Sequence, residues 1–352
     1  MTESEKKVRA VVAVPLPEEL CRLIEELEPR LEVVSDPSLV PPMRGPADWS
    51  GDPGFTRTPQ QQEAFDALVD SADVLFGIPD VDPRALARTV SANPRLRWVM
   101  TTAAGGGSTV RAADLGRADL DRVVFTTSAG VHGGTLAEFA VFAVLAGAKG
   151  LPRLLEDQRD RRWPERWEMR QVEEMTVLVV GLGGIGAECA RRFDALGARV
   201  WGTSRSGRPV EGVERLVSPD ALSEVVAEVD AIVVTLPGTA QTRHLIGDDV
   251  LRAVRPGVIV TNVGRGSVID EAALLRALDD GRVGFAGLDV FEEEPLPEGS
   301  PLWSHPSVLV SPHTAALSSR EEERIARRFA ENATRLLDGR ELRAVVDTVE
   351  FY

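Results

Sequence analysis

Four polar side chains in the last third of the chain have the types and spacing needed for acid–base chemistry on an organic acid. Arg265 stands in the glycine-flanked turn of "TNVGRGSVID", Asp289 and Glu294 in "GLDVFEEEPL", and His313 in "VLVSPHTAA". A protonated imidazole can donate to an oxygen that gains negative charge, and a nearby carboxylate stabilises the imidazolium. The planar guanidinium of arginine matches a carboxylate. Taken alone, His313 would be a structural histidine and the glutamate run a solvated patch.

A glycine-rich turn precedes these residues in the segment "VLVVGLGGIGAECARRF". Between a strand and a helix, such glycines permit a tight turn, close approach to a pyrophosphate and close helix–strand packing. The free N–H groups and the dipole at the helix start favour phosphates. An ordinary structural turn is the alternative, but the strand–turn–helix context favours a dinucleotide site. Its residues are Gly181, Gly183, Gly184, Ile185 and Gly186.

The identity of the dinucleotide depends on the residues that follow the next strand-like run, "ARVWGTS". In NAD-binding units, an acidic residue about 20 positions after the glycines holds the adenosine ribose. Ser204 stands at that place and Arg205 follows it. Serine does not repel a 2′-phosphate, and an arginine can pair with one. The sequence therefore favours NADP(H), with NAD(H) as the alternative if Arg205 is a solvated surface residue.

Composition and charge narrow the classes of partner. The chain has 352 residues and a formal net charge of −15. This charge argues against nucleic acid and anionic membranes, which bind clustered cations. Cys21 and Cys189 form neither a metal-like cluster nor a disulfide framework. We therefore expect no metal and a reducing, cytoplasmic location.

Strand-like and helix-like runs alternate twice along the chain, which predicts two α/β domains with parallel sheets. We expect a substrate-binding domain over residues 1–127 and a cofactor-binding domain over 128–317. A helix within 318–352 is expected to return to the first domain. The apolar run after Gly130 predicts a long helix that crosses between the domains.

One stretch, residues 37–59, is rich in Pro and Gly and has no clear period. Few compact domains contain so long a connection without a reason. It is either a packed surface excursion or a loop near the substrate. The second interpretation rests on the side chains that it offers, namely Arg44, Trp49, Phe55 and Arg57.

The motifs in the second half resemble the family of D-isomer-specific 2-hydroxyacid dehydrogenases. The glycine loop, "NVGRGSVID", "LDVFEEEP" and "SPHTA" come in the order and spacing of that family. The resemblance extends from about "LRWVMTTAAG" to about "LLDG". It implies an α/β fold of two Rossmann-like domains with a cleft between them. One would be a flavodoxin-like substrate domain and the other an NAD(P)-binding Rossmann domain.

The resemblance also implies roles for individual residues. His313 would be the general acid/base, Glu294 its partner, and Arg265 the group that binds the substrate carboxylate and 2-oxygen. The further implied cofactor contacts are Leu236, Pro237, Thr242, Val263 and Asp289, the last of these near the nicotinamide. Backbone N–H groups of the "TTAAGGG" turn would hold the substrate carboxylate, at Ala104, Gly105 and Gly106. The corresponding family turn often reads Ser-Ala-Gly-Val-Asp, which differs from this one.

The function implied by the resemblance is reduction of a small 2-keto acid to a D-2-hydroxy acid, or the reverse reaction. Glyoxylate and hydroxypyruvate are the first substrates to test. A phosphoglycerate dehydrogenase-like enzyme is one alternative. A dinucleotide-sensing binding protein, similar to transcriptional corepressors of this fold, is the alternative from another class. The resemblance further implies a homodimer.

Overall fold

A computed structural model describes residues 7–205, 207–349 and 351. The chain forms two compact units. The first contains the described residues of 1–132 and 317–352, and the second contains residues 133–316. The boundaries expected from the sequence were 127/128 and 317/318. The first of these lies five residues before the break at His132 and Gly133, and the second lies next to the break at Ala316 and Leu317.

The described residues of the first unit contain a parallel five-stranded sheet with strand order β2-β1-β3-β4-β5. Its strands are β1 (Val8–Val12), β2 (Leu31–Val34), β3 (Val74–Phe76), β4 (Trp98–Met100) and β5 (Val124–Thr126). Its helices are α1 (Glu18–Leu27), α2 (Pro59–Asp70), α3 (Pro83–Ala92), α4 (Gly107–Ala112), α5 (Arg117–Arg122) and α12 (Glu321–Leu337). This strand order is the flavodoxin-like one, which confirms the fold class predicted for this part of the chain.

The last helix, α12, completes the core of the first unit. Its apolar residues recur at helical spacing and are buried, so one stripe of the helix packs onto the sheet. Phe329 stacks on Trp98 of β4 with 4.6 Å between ring centroids. A polar contact joins α12 to the end of α1, because Thr334 donates to the buried carboxylate of Glu28 at 2.7 Å.

The described residues of the second unit contain a parallel seven-stranded sheet with strand order β12-β11-β10-β9-β6-β7-β8. Its strands are β6 (Thr176–Val180), β7 (Arg199–Thr203), β8 (Arg215–Val217), β9 (Ala231–Val234), β10 (Val258–Asn262), β11 (Val283–Leu288) and β12 (Val308–Val310). Its helices are α6 (Gly133–Ala148), α7 (Leu151–Arg159), α8 (Gly184–Ala195), α9 (Leu222–Val225), α10 (Asp248–Ala253) and α11 (Glu271–Asp279). The strand order reverses between β6 and β9, as in a Rossmann fold, so the predicted fold class is confirmed here also.

Successive residues of the central strands face opposite sides of the second sheet. In β6, Val177 and Val179 pack with α6 and α8, whereas Leu178 and Val180 pack with α10 and α11. Both faces are therefore covered, which is why these strands are continuous apolar runs in the sequence. Their carboxyl ends point to one edge of the sheet, where ligands bind in open α/β folds.

Helix α6 does not cross between the units, and that expectation is wrong. The helix lies wholly within the second unit, where it packs against α8, β10 and β11. Most of its residues are apolar and many are buried, whereas Glu138 and Phe142 are exposed, so one side of the helix stays at the surface. Among the described residues, no single helix has the length and apolarity to cross a membrane. Helices α6 and α7 reach that length only as a pair bent by 65°.

Candidate active site

Arg265 lies in a tight turn that follows β10. The Asn262 side chain holds this turn from both sides: its Oδ1 accepts from Gly264 N at 3.0 Å, and its Nδ2 donates to Arg265 O at 3.0 Å. Nη1 of Arg265 donates to the Gly264 carbonyl at 2.7 Å. The guanidinium is half-buried, so it is held near the sheet edge with donors left for a ligand.

His313 and Glu294 form a hydrogen-bonded pair. Nδ1 of His313 lies 2.7 Å from Oε2 of Glu294, and Oε1 of Glu294 accepts from Phe291 N at 2.9 Å. Both side chains remain accessible to solvent, with 46% of His313 and 34% of Glu294 exposed. Within the described part of the chain, no hydrogen bond engages Nε2 of His313. That nitrogen is therefore the one placed to exchange a proton with a ligand.

Asp289 anchors the loop that contains His313. Its Oδ1 accepts from the Ser311 hydroxyl at 2.5 Å and from the N–H groups of Thr314 and Ala315 at 2.9 and 3.0 Å. The Asp289 carbonyl also accepts from His313 N at 2.9 Å. Sequence reasoning assigned Asp289 only to the cofactor, and this anchoring role was missed. Oδ2 is buried and has no hydrogen-bond partner among the described residues.

A reciprocal pair of hydrogen bonds fastens the Glu294 loop to the start of α11. Oε1 of Glu292 accepts from Glu271 N at 3.0 Å, and Oε1 of Glu271 accepts from Glu292 N at 2.6 Å. Nε2 of His244 lies 3.2 Å from the same Glu292 oxygen. Glu292 is exposed, as the interpretation of a solvated patch predicted, but its carboxylate is also engaged by Glu271 N. The paired glutamates lie 21 residues apart in sequence, so no pattern within a short segment predicts their pairing.

Two further features concern this clamp, the hydrogen-bonded pair formed by Glu271 and Glu292. Burial raises the pKa of Glu271 above its ordinary value, the hydrogen bond from Glu292 N opposes the shift, and nearby carboxylates add to it. The turn that contains Arg265 packs directly on the same loop. A Cβ on Gly266 would overlap the backbone of Phe291 and Glu292, so only glycine fits there. The Arg265 turn and the Glu294 loop are thus held backbone to backbone.

The glycine loop joins β6 to α8 as predicted. Gly181 has φ of 108°, a conformation that favours glycine, and its N–H donates to Oγ1 of Thr203 at 2.9 Å. A Cβ on Gly186 would overlap the Gly181 carbonyl, so this glycine allows α8 to approach the turn. A Cβ on Gly183 would meet open space. Gly184, Ile185 and Gly186 form the first turn of α8, whose N–H groups lack helical acceptors.

The remaining predicted cofactor residues lie at the same edge of this sheet. Leu236 and Pro237 follow β9, and the Leu236 side chain borders the space in front of Gly181. Thr242 donates to the Pro237 carbonyl at 2.6 Å. Val263 follows β10, is buried, and donates its N–H to Val234 at 3.0 Å.

Ser204 and Arg205 follow β7, the strand that pairs with β6. Val180 is in register with Thr203, so Ser204 lies at the strand end next to the glycine loop. Ser204 is half-buried and Arg205 is exposed. This is where the ribose of a dinucleotide bound at the loop would be held.

The predicted substrate turn belongs to the first unit. Ala104, Gly105 and Gly106 lie between β4 and α4. Gly106 N donates to the Ala103 carbonyl at 3.1 Å, and a Cβ on Gly106 would overlap the Thr101 side chain. The turn therefore requires glycine at this position.

The edge of the second sheet fits a nicotinamide dinucleotide. The glycine loop offers an open backbone at a helix start, which suits a pyrophosphate. The orphaned Oδ2 of Asp289 is an acceptor for an amide N–H such as that of a carboxamide. In the described ranges, no group of three or more His, Cys, Asp or Glu side chains is placed to hold a metal ion. The loops after β10, β11 and β12 bring Arg265, Glu294 and His313 to three adjacent strand ends.

Comparison with known proteins agrees with this arrangement. The family model for the NAD binding domain of D-isomer specific 2-hydroxyacid dehydrogenases matches residues 141–315. A glyoxylate reductase of Aeropyrum pernix is 31% identical over 80% of this chain and 85% of its own length. A glyoxylate/hydroxypyruvate reductase B of Yersinia enterocolitica is 35% identical over 58% of this chain and 64% of its own.

Solved structures extend the similarity over nearly the whole chain. A D-isomer specific 2-hydroxyacid dehydrogenase of Xanthobacter autotrophicus, crystallised with NADPH and MES, is 30% identical with a TM-score of 0.76. The alignment covers 98% of this chain and all of that one. The motifs, the two sheets and these relatives agree: the chain belongs to the family of D-isomer specific 2-hydroxyacid dehydrogenases and is an NAD(P)-dependent oxidoreductase.

Proposed function

We propose that this chain reduces glyoxylate or hydroxypyruvate to the corresponding 2-hydroxy acid, with NADPH as the preferred cofactor. The observation that supports the reaction best is the 2.7 Å contact between His313 and Glu294, at strand ends adjacent to the Arg265 turn. The relatives named for glyoxylate and hydroxypyruvate reduction support this choice of substrates.

The mechanism assigns binding and proton transfer to three side chains. The bound dinucleotide supplies the hydride. Arg265 stays cationic and binds the substrate carboxylate and 2-oxygen through its planar donors. His313, as imidazolium, donates its Nε2 proton to the 2-oxygen as negative charge grows there. Glu294 stabilises the imidazolium through Nδ1. The neutral imidazole then takes a proton from solvent before the next turnover.

Both units contribute binding groups in this proposal, and Arg265, Glu294 and His313 all belong to the second. The second unit holds the dinucleotide through its glycine loop, Leu236, Pro237, Thr242, Val263 and Asp289. The first unit, including α12, binds substrate through the N–H groups at Ala104, Gly105 and Gly106. Preference for NADPH follows from Ser204 and Arg205, which offer no carboxylate against a 2′-phosphate. The NADPH found in the Xanthobacter autotrophicus relative supports this preference.

A homodimer is the assembly that we propose, in a cytoplasmic setting. Exposed apolar side chains on and after α6 support self-association, namely Phe142, Leu155, Trp163 and Met169. Two free thiols, both buried, fit a reducing compartment. Sedimentation of the wild type and of Phe142→Glu tests the dimer. We expect the wild type to sediment as a dimer and the variant as a monomer, and a monomeric wild type would contradict the assembly.

The reaction is tested by oxidation of NADPH and NADH, side by side, with glyoxylate, hydroxypyruvate, pyruvate and bulkier keto acids. We expect turnover that favours NADPH and is abolished in His313→Ala, while His305→Gln, outside the site, retains it. Oxidation of 3-phosphoglycerate in preference to keto-acid reduction would indicate the phosphoglycerate alternative. Tight dinucleotide binding without turnover over the whole panel would overturn the reductase and favour a dinucleotide-sensing protein.

A further inference from the structure

Two threonine residues hold the backbone of the glycine loop, one at the end of each strand that pairs with β6. In the second sheet, β6 lies between β7 and β9. Thr203 is the last residue of β7, and Thr235 directly follows Val234, the last residue of β9. Thr203 is buried and Thr235 is half-buried. Sequence reasoning assigned neither to the cofactor, yet both bind the loop at its first glycine.

Thr203 binds the N–H groups at the start of the loop. Its Oγ1 accepts from Gly181 N at 2.9 Å. Its carbonyl accepts from Leu182 N, also at 2.9 Å. One residue of the neighbouring strand therefore engages two consecutive N–H groups of the loop. Gly181 is buried, so loss of the hydroxyl acceptor would leave its N–H unpaired at a cost in free energy.

Thr235 binds the carbonyl groups of the same two peptides. Its N–H donates to the Val180 carbonyl at 3.1 Å. Its hydroxyl donates to the Gly181 carbonyl at 2.5 Å and lies 3.3 Å from the Val180 carbonyl. A hydroxyl has one proton, so the shorter contact is the hydrogen bond. Peptides 180–181 and 181–182 are thus each held by Thr203 at the N–H and by Thr235 at the carbonyl.

The part of the loop that is held lies directly before the part that meets solvent. Gly183 and Gly184 are exposed, and the first turn of α8 has N–H groups that lack helical acceptors. A Cβ on Gly186, in that turn, would lie 2.0 Å from the Gly181 oxygen and 3.1 Å from Oγ1 of Thr235. The bonded oxygen and hydroxyl therefore both contact the helix start. Holding Gly181 in place also holds the position of that turn.

Glycine makes such a loop mobile unless other groups hold it. Four of the six residues from Gly181 to Gly186 are glycines, and glycine loses more conformational freedom on ordering than any other residue. A ligand that has to order the loop binds more weakly by that cost. Hydroxyl groups that order the loop in advance remove the cost. Valine resembles threonine in shape but has no hydroxyl, so it would fill the same space without holding the loop.

We infer that Thr203 and Thr235 are positioning residues for the dinucleotide, which act through the backbone of the glycine loop. This role rests on the proposed function, in which the glycine loop holds the dinucleotide and its pyrophosphate. The pyrophosphate is common to NADPH and NADH. The two threonines therefore affect the affinity for both dinucleotides and not the choice between them, whereas Ser204 is proposed to affect that choice.

The test measures the Kd of NADPH and of NADH from the fluorescence of the reduced nicotinamide, without any keto acid. We expect Thr203→Val and Thr235→Val each to raise both Kd values about tenfold and to leave their ratio unchanged. Thr203→Ser and Thr235→Ser keep the hydroxyl and should bind like the wild type. Thr176→Val is the matched control, because Thr176 is buried at the amino end of β6 and its Oγ1 has no hydrogen-bond partner within the described ranges.

Gly183→Asp, measured in the same way, tests whether the dinucleotide lies at the loop. Its carboxylate would enter the open space beside Gly183 and repel a pyrophosphate, so both Kd values should rise. If they do not, the proposed site fails and the inference fails with it. If they do, while both valine variants bind like the wild type, only the inference is overturned.

Three further outcomes decide the role of the threonines. Serine variants as weak as the valine variants would indicate lost packing and overturn the inference, as would equal weakening in Thr176→Val. A changed ratio of the two Kd values would place the effect at the ribose and also overturn it. Where one valine variant fails to fold, the other decides. Dinucleotide binding without any turnover removes the proposed reductase but leaves the Kd values to decide the inference.

Discussion

The carboxylate of Glu294 joins the His313 imidazole to the backbone of its own loop. Oε2 lies 2.7 Å from Nδ1 of His313, and Oε1 accepts from Phe291 N at 2.9 Å. One side chain therefore determines both the tautomer of the ring and its position relative to the end of β11. Acid–base work is left to Nε2, because Nδ1 is occupied.

Glu294→Gln is expected to lower kcat/KM for keto-acid reduction about 100-fold at neutral pH, at the lower end for general acid–base catalysis. The amide is neutral, so it stabilises the imidazolium that donates the proton less well than the carboxylate does. The exposed neighbour serves as the control, since Glu293→Gln should keep the wild-type kcat/KM. A Glu294→Gln enzyme with the wild-type kcat/KM would remove Glu294 from this role.

Glu292→Ala is expected to lower kcat by a factor of about 5 to 30, since one lost hydrogen bond is worth about 1 to 2 kcal/mol. The change removes one of the two hydrogen bonds between the Glu294 loop and the start of α11, because Glu271 N loses its acceptor while residue 292 N still donates to Glu271. Dinucleotide affinity should stay the same. Glu292→Gln should restore most of the rate, because its amide oxygen still accepts from Glu271 N. Equal losses in the Ala and Gln variants would contradict a positioning role.

Ser204→Asp is expected to reverse the cofactor preference. A carboxylate after β7 repels a 2′-phosphate and accepts from both ribose hydroxyls. The ratio of kcat/KM for NADPH to that for NADH should fall about 100-fold, or roughly 2.7 kcal/mol. Ser223→Asp, which adds the same charge on α9, should leave the ratio unchanged. A Ser204→Asp enzyme that keeps its NADPH preference would show that this position does not face the ribose phosphate.

Glu28→Gln is expected to destabilise the first unit at neutral pH. Hydrogen bonds from Arg30 lower the pKa of Glu28 from 4.5 to about 2, against the opposing effect of burial, and Thr334 contributes a further bond. The pKa is lower in the folded state, so this stabilisation is complete above the unfolded pKa. It fades as pH falls from 4.5 towards 2.

Urea unfolding at several pH values checks this expectation. The wild type should exceed Glu28→Gln by about 1 to 2 kcal/mol in free energy of unfolding at neutral pH, a value reduced for solvent screening of Arg30. The difference should shrink in acid. Glu18→Gln, on the exposed start of α1, should match the wild type throughout. A Glu28 difference that is independent of pH would indicate lost packing instead.

Much of the fold follows from local sequence, and for a physical reason. Alternating strand and helix runs predicted both α/β units, because each run is decided by the residues within it. The glycine loop was also predicted from local sequence, since Gly181 and Gly186 meet steric demands within one turn. The short edge strand β8, residues Arg215–Val217, was missed because two of its three residues are exposed, so it forms no apolar run in the sequence.

The candidate site likewise contains residues that the sequence predicted and contacts that it did not. Arg265, Glu294 and His313 were found from sequence because each directly follows a strand or lies in a recognisable motif. The clamp between Glu271 and Glu292, the anchoring of the His313 loop by Asp289, and the place of α6 in one core were not. Each depends on packing between segments distant in sequence.

The Pro/Gly-rich stretch of residues 37–59 shows the same limit. Sequence alone predicted that residues 37–59 form either a packed excursion or a loop near substrate, and it offered no means to choose. Only the tertiary structure buries Arg57 over Phe65, sets Asp80 against it and leaves Nη2 without a described partner. The sequence by itself determined the local conformations and the kinds of chemical group available. The tertiary structure decided which groups meet, because burial and hydrogen-bond partners are properties of the folded chain.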